Sequence, residues 1–590
     1  EVDPEVQLTA AGVDQALMFG QQDQEIAHAL EHNEINWSYY RQLYRRWKNA
    51  KHPRPIQIVD NTSEAEGSDK LSSEKDRSAE ESAILAYPTA VASNDQMAKI
   101  PVTSYEYLRQ NQDAHFAQKV LLCLRKMQAG TGTSMGRQKY LAAMHNVAPA
   151  QVRLGAKGTD LFIFCQQKPL SLAEVQILQA VVDAQQNVFG AIAWWDIIGP
   201  ETRWAIKNVW QKKSYFNPQL SYKDLLKIVP NLSWAGETLQ QFIPCLDENL
   251  QIDFEHQAPA GHGLFAFEAL QAALDPDALP ACPGLDLMIA LGNGEDLGSG
   301  PDKYMIAWME QQQIPIMMAT TAKTKVDLKG GQIALFADGP ETYLGILEKA
   351  QAEHSGQGAL FESLGLRPQD RTAYFNTNMA VLNMAVLVPK LQKLVQEIGR
   401  QAYLDIITPD VILNAKGSSA HPYYQLEGAM GSVLLNLDRF WRRYYGKPLV
   451  HLVNIELDHR TSFFSPLKTA FDFFLQFYSD RFHFNQETFR PINNRPGKFP
   501  GVVLEDKFYK EVDNVLLAFA KTSTVDLEHL TIKGQVRLAN FVLKGKVLLD
   551  NQSGKMVDLQ SFAPTELPRT ICDQKITIDP QGKLHVAAWA

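Results

Sequence analysis

A cluster of small residues after an apolar segment is the first feature of the sequence that could bind a ligand. Residues 119–126 predict a buried strand, and the turn after it contains Gly130, Gly132, Thr133, Ser134 and Gly136. Glycines let a backbone approach a ligand closely, and consecutive amides can bind phosphate oxygens. Lys139 adds a positive charge shortly after this turn. The spacing fits neither the GxxxxGKS/T loop nor the GxGxxG turn, so the residues alone predict either an anion-binding turn or a structural one.

Several polar residues further along the chain are candidates for ligand contacts. His262 lies between two glycines, a position that is hard to explain as part of an apolar core. Lys468 fits a phosphate contact or a solvated surface position equally well, and Asn378 fits a ligand contact or a turn that caps its own backbone. Three lysines alternate along one segment and fit an exposed strand face: Lys323, Lys325 and Lys329.

The bulk properties exclude some classes of protein. The chain has 590 residues and a formal net charge of −9, so we expect about two to four domains and no whole-chain basic field for nucleic acid or an anionic membrane. Its five cysteines are far apart and never form a CxxC pair, which predicts a reduced, cytoplasmic environment. No apolar run approaches the ~18 residues of a membrane-spanning helix.

Composition divides the chain into four segments. Residues 1–52 carry apolar and aromatic residues at helical spacing and predict an N-terminal helical segment. Its basic cluster predicts a solvated helix face, with a docking surface as the alternative: Arg41, Arg45, Arg46 and Lys48. Residues 53–97 include a stretch rich in Ser, Glu, Asp and Lys, which predicts a disordered linker. Residues 98–515 alternate strand and helix patterns, which favours an α/β domain with a largely parallel sheet. Residues 516–590 form a fourth segment of different character.

The fourth segment contains a short internal repeat. Residues 532–538 and 543–549 share an alternating apolar pattern, with Gly534 and Gly545 at matching places. Short strands stacked in this way predict a small β-solenoid. A simple hairpin pair is the alternative that the same pattern allows.

Ordered sequence blocks resemble one enzyme family. Residues 132–136 read GTSMG, which is part of the LNGGLGTSMG signature of the eukaryotic-type UTP–glucose-1-phosphate uridylyltransferases. The segments that resemble the family's PPGHGD, NxDNLG, KTRADVKGG, FNTNN, EKAIGAAMG, PVKTTSDL and LEHLTVSG blocks follow in the same order: residues 259–263, 293–298, 323–331, 375–378, 427–431, 466–469 and 528–531. Ordered blocks over such a length are far more specific than any single motif.

This resemblance implies a fold and a reaction. It implies an α/β nucleotide-binding domain of glycosyltransferase-A type, with a mixed and mostly parallel sheet, followed by a C-terminal left-handed β-helix. The implied substrates are UTP and a hexose 1-phosphate, and the implied products are a UDP-sugar and pyrophosphate. Positioning and charge stabilisation do most of the work in such phosphoryl chemistry, and Mg2+ is the implied cofactor. Assembly into a homo-oligomer through the C-terminal region is also implied as an option.

The resemblance also assigns roles to individual residues. The turn from Gly130 to Gly136 would bind the nucleotide, with Lys139 as its phosphate lysine across a two-residue gap against the family's GCKGPK. Gly261 would lie against the uracil, and Gln240 is a candidate for a second uracil contact. The remaining implied contacts are the ribose at Asn293, the metal at Glu295, the sugar phosphate at His262, Gly330 and Asn378, and the phosphates at Lys468.

Several family positions are altered. Ala129 replaces a glycine of the loop, and Leu264 replaces the aspartate that closes PPGHGD. Glu295 replaces an aspartate, and its extra methylene shifts a ligand of a metal that prefers near-octahedral geometry. Aligned by position, the glutamate of the family's VEIAQVP block falls on Leu335, and of the arginines in PRSRFLP only Arg460 is near, with Phe463 or Phe464 at the second site.

Three hypotheses follow from this mixture of retained and altered positions. The first is an active uridylyltransferase with a changed sugar preference. The second is a non-catalytic relative that binds a nucleotide or a protein partner. The third is a scaffold that oligomerises through the β-solenoid. The retained lysines and acidic residue favour the first, whereas Leu264 and Leu335 favour the second.

Overall fold

The structure is a computed structural model, and it describes most of the chain from residue 102 onward. The described residues are 36–49, 57–58, 90–91, 102–132, 134–165, 168–211, 226–324, 327, 330–338, 341–354, 358–363, 373–418 and 421–589. Within them, every helix is too short or too polar to cross a bilayer.

The strands of the described residues are numbered in chain order. They are β1 (Gln57–Ile58), β2 (Ala90–Val91), β3 (Val102–Ser104), β4 (Val120–Gln128), β5 (Phe162–Cys165), β6 (Lys168–Ser171), β7 (Ala191–Ile198), β8 (Leu232–Leu239), β9 (Phe242–Leu246), β10 (Ile252–Pro259), β11 (Asp286–Asn293), β12 (Ile316–Thr321), β13 (Gln332–Asp338), β14 (Glu341–Leu347), β15 (Ala373–Asn383), β16 (Val411–Ser418), β17 (His421–Gly428), β18 (Val450–Ile455), β19 (Phe482–Asn485), β20 (Arg490–Asn493), β21 (Gly501–Leu504), β22 (Leu527–Lys533), β23 (Val536–Arg537), β24 (Val542–Asn551), β25 (Val557–Asp558), β26 (Thr570–Ile578) and β27 (Leu584–Ala588).

The α-helices are numbered in the same way. They are α1 (Trp37–Asn49), α2 (Tyr105–Asn111), α3 (Gln138–His145), α4 (Lys157–Asp160), α5 (Leu172–Gln185), α6 (Arg203–Gln211), α7 (Gly263–Ala272), α8 (Lys303–Gln312), α9 (Lys349–His354), α10 (Gly358–Ser363), α11 (Met384–Ile398), α12 (Arg400–Ile407), α13 (Met430–Tyr445), α14 (Arg460–Phe463), α15 (Ala470–Phe477) and α16 (Val512–Ala518).

A large mixed sheet forms the centre of the molecule. Its main path runs β1-β2-β13-β15-β11-β4-β7-β8, and β12, β18 and β3 continue from β15. Strands β11, β4, β7 and β8 pair in parallel, whereas β15 is antiparallel to β11, β12 and β13. The sheet is therefore mixed, with its parallel part around β4, whereas the alternating strand and helix patterns predicted a largely parallel sheet.

Apolar side chains cover both faces of this sheet. Leu121 and Cys123 belong to one buried cluster, whereas Leu122 between them belongs to the other. Because successive side chains of a strand point to opposite faces, the two clusters lie on opposite sides of the sheet. This explains the continuous apolar run of β4, since a strand that is buried on both faces shows no polar alternation.

The C-terminal part contains stacked parallel strands. β21, β22, β24 and β26 pair in parallel, and β27 is antiparallel to β26. Leu530 lies opposite Val547, and all of these parallel strands place apolar residues in register inside the stack. The hairpin alternative is wrong, because β22 and β24 run in the same direction. The stack also begins at β21, ahead of the boundary expected at residue 516.

The described part of the N-terminal segment is helical, and its basic face is only partly solvated. Helix α1 spans Trp37–Asn49, and residues 1–35 lie outside the described part of the chain. Arg45 is exposed as expected. Arg46 is buried instead, and its guanidinium donates to Asp410 Oδ1 at 2.8 Å and to the Asp405 carbonyl at 3.2 Å. This helix therefore docks on the domain through a charged contact.

The segment expected to be a disordered linker contains two short strands. β1 and β2 pair with each other in parallel, and β2 also pairs with β13 at Val91 and Phe336. These strand residues belong to the edge of the large sheet, because backbone groups of β13 are available there. The rest of residues 53–97 lies outside the described residues.

Replacing Arg46 with Met should lower the free energy of unfolding by about 1–3 kcal/mol, because the Asp410 carboxylate and the Asp405 carbonyl lose a buried donor. The matched control is Arg45→Met on the same helix, which should change that free energy by no more than about 0.5 kcal/mol because the side chain is exposed. Urea unfolding of both variants measures the difference. Equal effects of the two substitutions would contradict the docking contact.

Candidate functional site

The glycine-rich turn leaves the carboxyl end of β4 and is closely packed. Gly132 has a φ of +65°, a left-handed conformation that favours glycine. A methyl group at this position would lie 2.4 Å from Cε of Lys157, so the lysine side chain packs directly on the turn. Nothing lies within 4 Å of a methyl group built on Gly130, and Ser134 is exposed. The turn thus combines a packed point at Gly132 with open space at Gly130.

Lys157 is the lysine that the fold brings to this turn. Its ammonium lies 3.5 Å from Oε1 of Glu295 and donates to the carbonyl of Leu467 at 3.1 Å. The side chain is 11% exposed, so it is available from the cleft but largely enclosed. Since Leu467 precedes Lys468 in the chain, Lys157 connects the turn, the acidic residue and the second lysine.

Lys139, the lysine expected in this role, lies elsewhere. It is exposed on the first turn of α3, and the lysine in contact with the turn and with Glu295 is Lys157. Residues 155–158 read GAKG, which matches the GCKG at the start of the family's GCKGPK. The expected two-residue gap is therefore a longer insertion that contains α3, and the GxKG pattern was the sequence signal that could have identified Lys157.

The segment that carries Glu295 follows the adjacent parallel strand. Asn293 ends β11 opposite Met127 of β4, and the amide of Gly294 donates to the Met127 carbonyl at 3.0 Å. Asp296 is completely buried, and its Oδ1 accepts from the amides of Gly298 and Ser465 at 2.9 and 2.8 Å. These contacts fix the turn on both sides of Glu295, whose side chain remains 22% exposed.

Lys157 and Lys468 act electrostatically on both His262 and Glu295, so these four side chains lie near one another around one candidate cleft. The His262 side chain is exposed, yet desolvation by neighbouring protein atoms lowers its pKa, and the charge of Lys468 lowers it further. Burial alone would raise the pKa of Glu295, but the positive charges of Lys157 and Lys468 bring that pKa below its ordinary value. His262 is therefore held towards its neutral form and Glu295 towards its charged form near neutral pH.

Two of these residues lie at helix N-termini. His262 is the N-cap of α7, and Lys468 precedes α15, whose N-cap Thr469 forms a capping box with Asp472. The amide of Lys468 donates to Asp472 Oδ2 at 2.9 Å. Helix N-termini carry a partial positive charge that favours anions, so both helices add to the positive potential of the cleft.

Gly261 and Gln240 lie together at the start of α7. Gly261 has a φ of +83°, and its carbonyl accepts from Nε2 of Gln240 at 3.0 Å. Gln240 is buried, so its amide group supports the Gly261 turn. Leu264 is 1% exposed and belongs to the apolar core on one face of the sheet, which means that the family's acidic side chain is replaced here by a core residue.

Asparagine and carboxylate groups lie around Gly331. Asn378 has a φ of +58°, and its Oδ1 accepts from Nδ2 of Asn376 at 2.8 Å. A methyl group at Gly331 would lie 2.5 Å from Oε1 of Glu348, which places Glu348 beside Gly330 and Gly331. Burial raises the pKa of Glu348 to about 7, against the opposing effect of Lys468.

Glu348 is an alternative to Leu335 for the position of the family glutamate. Leu335 lies within β13, opposite Leu344 of β14, whereas Glu348 directly follows β14 and reaches Gly331 beside the cleft. Residues 348–351 read EKAQ, which matches the EIAQ of the family's VEIAQVP block in three of four places. The hairpin β13–β14 moves this block along the chain, so counting positions missed it.

Five further candidates are structural or lie outside the described residues. Lys323 is buried and donates to the carbonyls of Phe361 and Glu362 at 2.9 and 2.8 Å, so it does not belong to an exposed strand face. Arg460 is buried and pairs with Asp327 through two contacts of 2.6 Å. Thr133, Lys325 and Lys329 lie outside the described residues.

A metal ion in this cleft would need ligands from the substrate. In the described part of the chain, no group of three or more His, Cys, Asp or Glu side chains is arranged to hold a metal ion. Glu295 offers one accessible carboxylate beside Lys157 and Lys468. This fits Mg2+, which often takes one or two carboxylates and completes its coordination with substrate phosphates and water.

Asp296 gives the cleft a pH-dependent contribution to stability. Burial raises its pKa to about 6 from an ordinary 3.8, although the amides of Ser465 and Gly298 oppose this shift. The folded state therefore binds a proton more tightly than the unfolded state, and the contribution of Asp296 falls as pH rises from about 4 to about 6. Relative to the parent, Asp296→Asn should become more stable by about 1–3 kcal/mol over this window, since Oδ1 can still accept from both amides.

Urea unfolding at about pH 4.5 and about pH 7.5 measures this change. Asp277→Asn, on an exposed turn, is the control and should show the same difference from the parent at both values. A pH-independent effect of Asp296→Asn on the free energy of unfolding would contradict the raised pKa of Asp296.

The chain matches a known family and several of its members. The family model described as UTP–glucose-1-phosphate uridylyltransferase matches residues 238–544. UTP–glucose-1-phosphate uridylyltransferase 2 of Dictyostelium discoideum is 27% identical over 271 residues, or 46% of this chain and 47% of that protein. The Saccharomyces cerevisiae enzyme of this name is 28% identical over 304 residues, or 51% of this chain and 54% of its own length. The chain thus spans about half the length of the curated relatives it matches.

Solved structures show the same fold over more of the chain. UDP-glucose phosphorylase from Trypanosoma brucei has a TM-score of 0.59 and 20% identity, covering 81% of this chain and 91% of that structure. UDP-glucose pyrophosphorylase from Leishmania major has a TM-score of 0.59 and 19% identity, covering 97% and 100%. The family model covers more than half of the chain and includes Gly261, Glu295 and Lys468. The chain therefore belongs to the UTP–glucose-1-phosphate uridylyltransferase family.

Proposed function

We propose that the chain transfers the uridylyl group of UTP to the phosphate of a hexose 1-phosphate, forming a UDP-sugar and pyrophosphate. The observation that carries this proposal is the meeting of four groups in one cleft beside the glycine-rich turn. Lys157 contacts both the turn and Glu295, and His262 and Lys468 act electrostatically on the same carboxylate. Two lysines and two helix N-termini around an acidic residue suit a triphosphate with its metal ion.

The chemistry needs little more than position and charge. An oxygen of the sugar phosphate attacks the α-phosphorus of UTP, and the bond from that phosphorus to the pyrophosphate oxygen breaks. Lys157 and Lys468 would hold the phosphate oxygens and stabilise the charge that develops on them. Glu295 would hold Mg2+, which when bound offsets the charge of the triphosphate. His262, held towards its neutral form, can donate a hydrogen bond without adding charge.

The two sides of the cleft suggest where each substrate binds. The turn of Gly261, supported by Gln240, suits the flat face of a uracil. Asn378 and Glu348 lie near Gly330 and Gly331. There they offer hydrogen-bond partners to sugar hydroxyls. The names of the relatives point to glucose 1-phosphate as the first sugar phosphate to test. Glu348 supports this choice, because its carboxylate can contact a sugar hydroxyl in place of the family glutamate that was aligned with Leu335.

The C-terminal stack supports a further part of the proposal. We propose that β21, β22, β24 and β26 belong to a left-handed β-helix and that the nucleotide-binding domain is of glycosyltransferase-A type. The parallel register and the positive φ values of Gly534 and Gly545 support a solenoid with glycine corners. A homo-oligomer formed through this region remains the proposed assembly, with β27 at the end of the sheet order.

One observation favours a second candidate, a relative that binds UTP without turnover. When residues 155–160 are matched to GCKGPK, the last lysine of that pattern falls on Asp160. Asp160 forms a buried pair with Arg137 at 2.8 Å, so it offers no positive charge to a phosphate. With Asp160 at this position, Lys157 and Lys468 are the lysines that supply positive charge to the candidate cleft.

Measurement of pyrophosphate release separates these candidates. With UTP, Mg2+ and glucose 1-phosphate, the purified protein should release pyrophosphate, and omission of either substrate should abolish the signal. A panel of other hexose 1-phosphates then defines the sugar preference. Calorimetric binding of UTP without release for any sugar phosphate would support the second candidate, and no UTP binding would leave the scaffold hypothesis.

The two lysines near the turn provide a sharper test. Lys157→Met should lower kcat/KM by on the order of 100-fold, because a positive charge is removed from an enclosed phosphate site. Lys139→Met removes the same charge from an exposed helix face, where solvent and salt screen it, and should cost less than about threefold. Thermal unfolding of both variants checks that they remain folded. A larger loss of kcat/KM in Lys139→Met than in Lys157→Met would assign the phosphate contact to Lys139 instead.

A further inference from the structure

Arg137, which directly follows the glycine-rich turn, is the most completely bound arginine near the cleft. Its side chain is 0% exposed, and Nε donates to Asp160 Oδ2 at 2.8 Å. The remaining donors reach main-chain carbonyls of the turn and of the segment before α4: those of Thr131, Gly132, Met135 and Gly155. A guanidinium has five N–H groups, and these bonds use all of them.

This pattern excludes direct contact between Arg137 and a substrate. A ligand would have to displace a carbonyl or the Asp160 carboxylate, and each of these would then be left buried without a donor. Arg137 therefore acts on the turn and not on the ligand. The Asp160 carboxylate balances the charge of Arg137. It also accepts from the amide of Gly155 at 2.9 Å.

Capture of the carbonyls sets the direction of the amides. In a trans peptide the N–H points away from the C=O of the same unit, so the carbonyl of Thr131 held by Arg137 turns the amide of Gly132 away from Arg137. Lys157 packs against Gly132 from the outside. The turn thus lies between a buried arginine, which holds its carbonyls, and a lysine that belongs to the cleft.

The other end of the turn is tied to the C-terminal part of the chain. The amide of Gly136 donates to the Lys510 carbonyl at 2.9 Å, and the amide of Val512 donates to the Gly136 carbonyl at 2.8 Å. Gly136 forms a parallel bridge with Glu511. Arg137 follows directly, so its guanidinium pulls the turn inward from a backbone position that is already anchored.

We propose that Arg137 is a positioning residue that shapes the glycine-rich turn for a nucleoside triphosphate. Part of this inference rests on the proposed function, because it names the triphosphate as the ligand of the turn. Where the family pattern has a lysine, this chain has Asp160. Asp160 forms an internal ion pair with Arg137, and this pair gives the turn a fixed shape. A side chain that never touches the substrate thereby controls how tightly UTP binds.

The chain offers a matched control for this proposal. Arg481 is also fully buried and also donates to main-chain carbonyls, those of Lys498, Thr524, Val525 and Leu527. None of these acceptors belongs to the turn or to the cleft residues described above. Arg137→Lys and Arg481→Lys keep the positive charge and shorten the reach by the same amount, so both variants should lose some stability while Asp160 keeps a counter-charge.

The experiment compares both lysine variants with the parent full-length chain. Calorimetry should show UTP–Mg2+ binding weakened about 10- to 100-fold in Arg137→Lys, since a misplacement of about 1 Å can have effects of this size. Hydrogen exchange should become faster in peptides that cover residues 130–136. The binding constant and this exchange should stay unchanged in Arg481→Lys.

Each outcome decides a different question. Equal weakening of UTP binding in both variants, or no change in Arg137→Lys, would overturn the positioning role. If the parent chain does not bind UTP, the proposed function fails, and hydrogen exchange alone then decides whether Arg137 shapes the turn. Faster exchange at residues 130–136 only in Arg137→Lys supports that role, and unchanged exchange overturns it. If Arg137→Lys fails to fold, Arg137→Met combined with Asp160→Asn provides the same comparison without an unpaired buried charge.

Discussion

The parallel pairing of β4 with β11 is the constraint on which the candidate site depends. In this register Met127 lies opposite Asn293, so the two strands end at the same edge of the sheet. The chain leaves β4 into the glycine-rich turn and leaves β11 into the segment of Glu295. Ligands of open α/β sheets bind beyond the carboxyl ends of the strands, because there two loops face one another with unpaired backbone groups. The hydrogen bond from Gly294 to Met127 locks the two exits together.

Buried ion pairs hold the irregular segments that no strand ladder can hold. Arg137 with Asp160, and Arg460 with Asp327, are both almost fully enclosed, and each fixes a segment that borders the cleft. A buried pair contributes little net stability, but removal of one partner leaves an uncompensated charge. Such pairs therefore restrict a loop to one arrangement. By contrast, Lys157 and Lys468 keep access to the cleft, where their charge is available to an anion.

The sequence predicted which blocks belong to the site but not all of their members. Gly132, Gly261, His262, Glu295 and Lys468 come together as their order along the chain implied, because each block follows the end of a strand or precedes the start of a helix. Lys139 was chosen for its nearness in sequence, yet an insertion with α3 carries it to the surface and the GxKG pattern delivers Lys157. Leu335 was assigned by counting positions, whereas the EKAQ pattern after the hairpin β13–β14 favours Glu348. Both differences arise because insertions change sequence distance without changing the spatial frame.

The sequence by itself determined the family, the α/β class, the parallel strands around β4 and the set of conserved-looking blocks, since these follow from local patterns of apolar residues, glycines and charged side chains. Only the tertiary structure decided the burial of Arg46 and Lys323, the pairing of Arg460 with Asp327 and the enclosure of Arg137 by four carbonyls. The reason is physical. Whether a charged side chain faces water or a buried partner depends on residues that are distant in the chain, and no local pattern contains that partner.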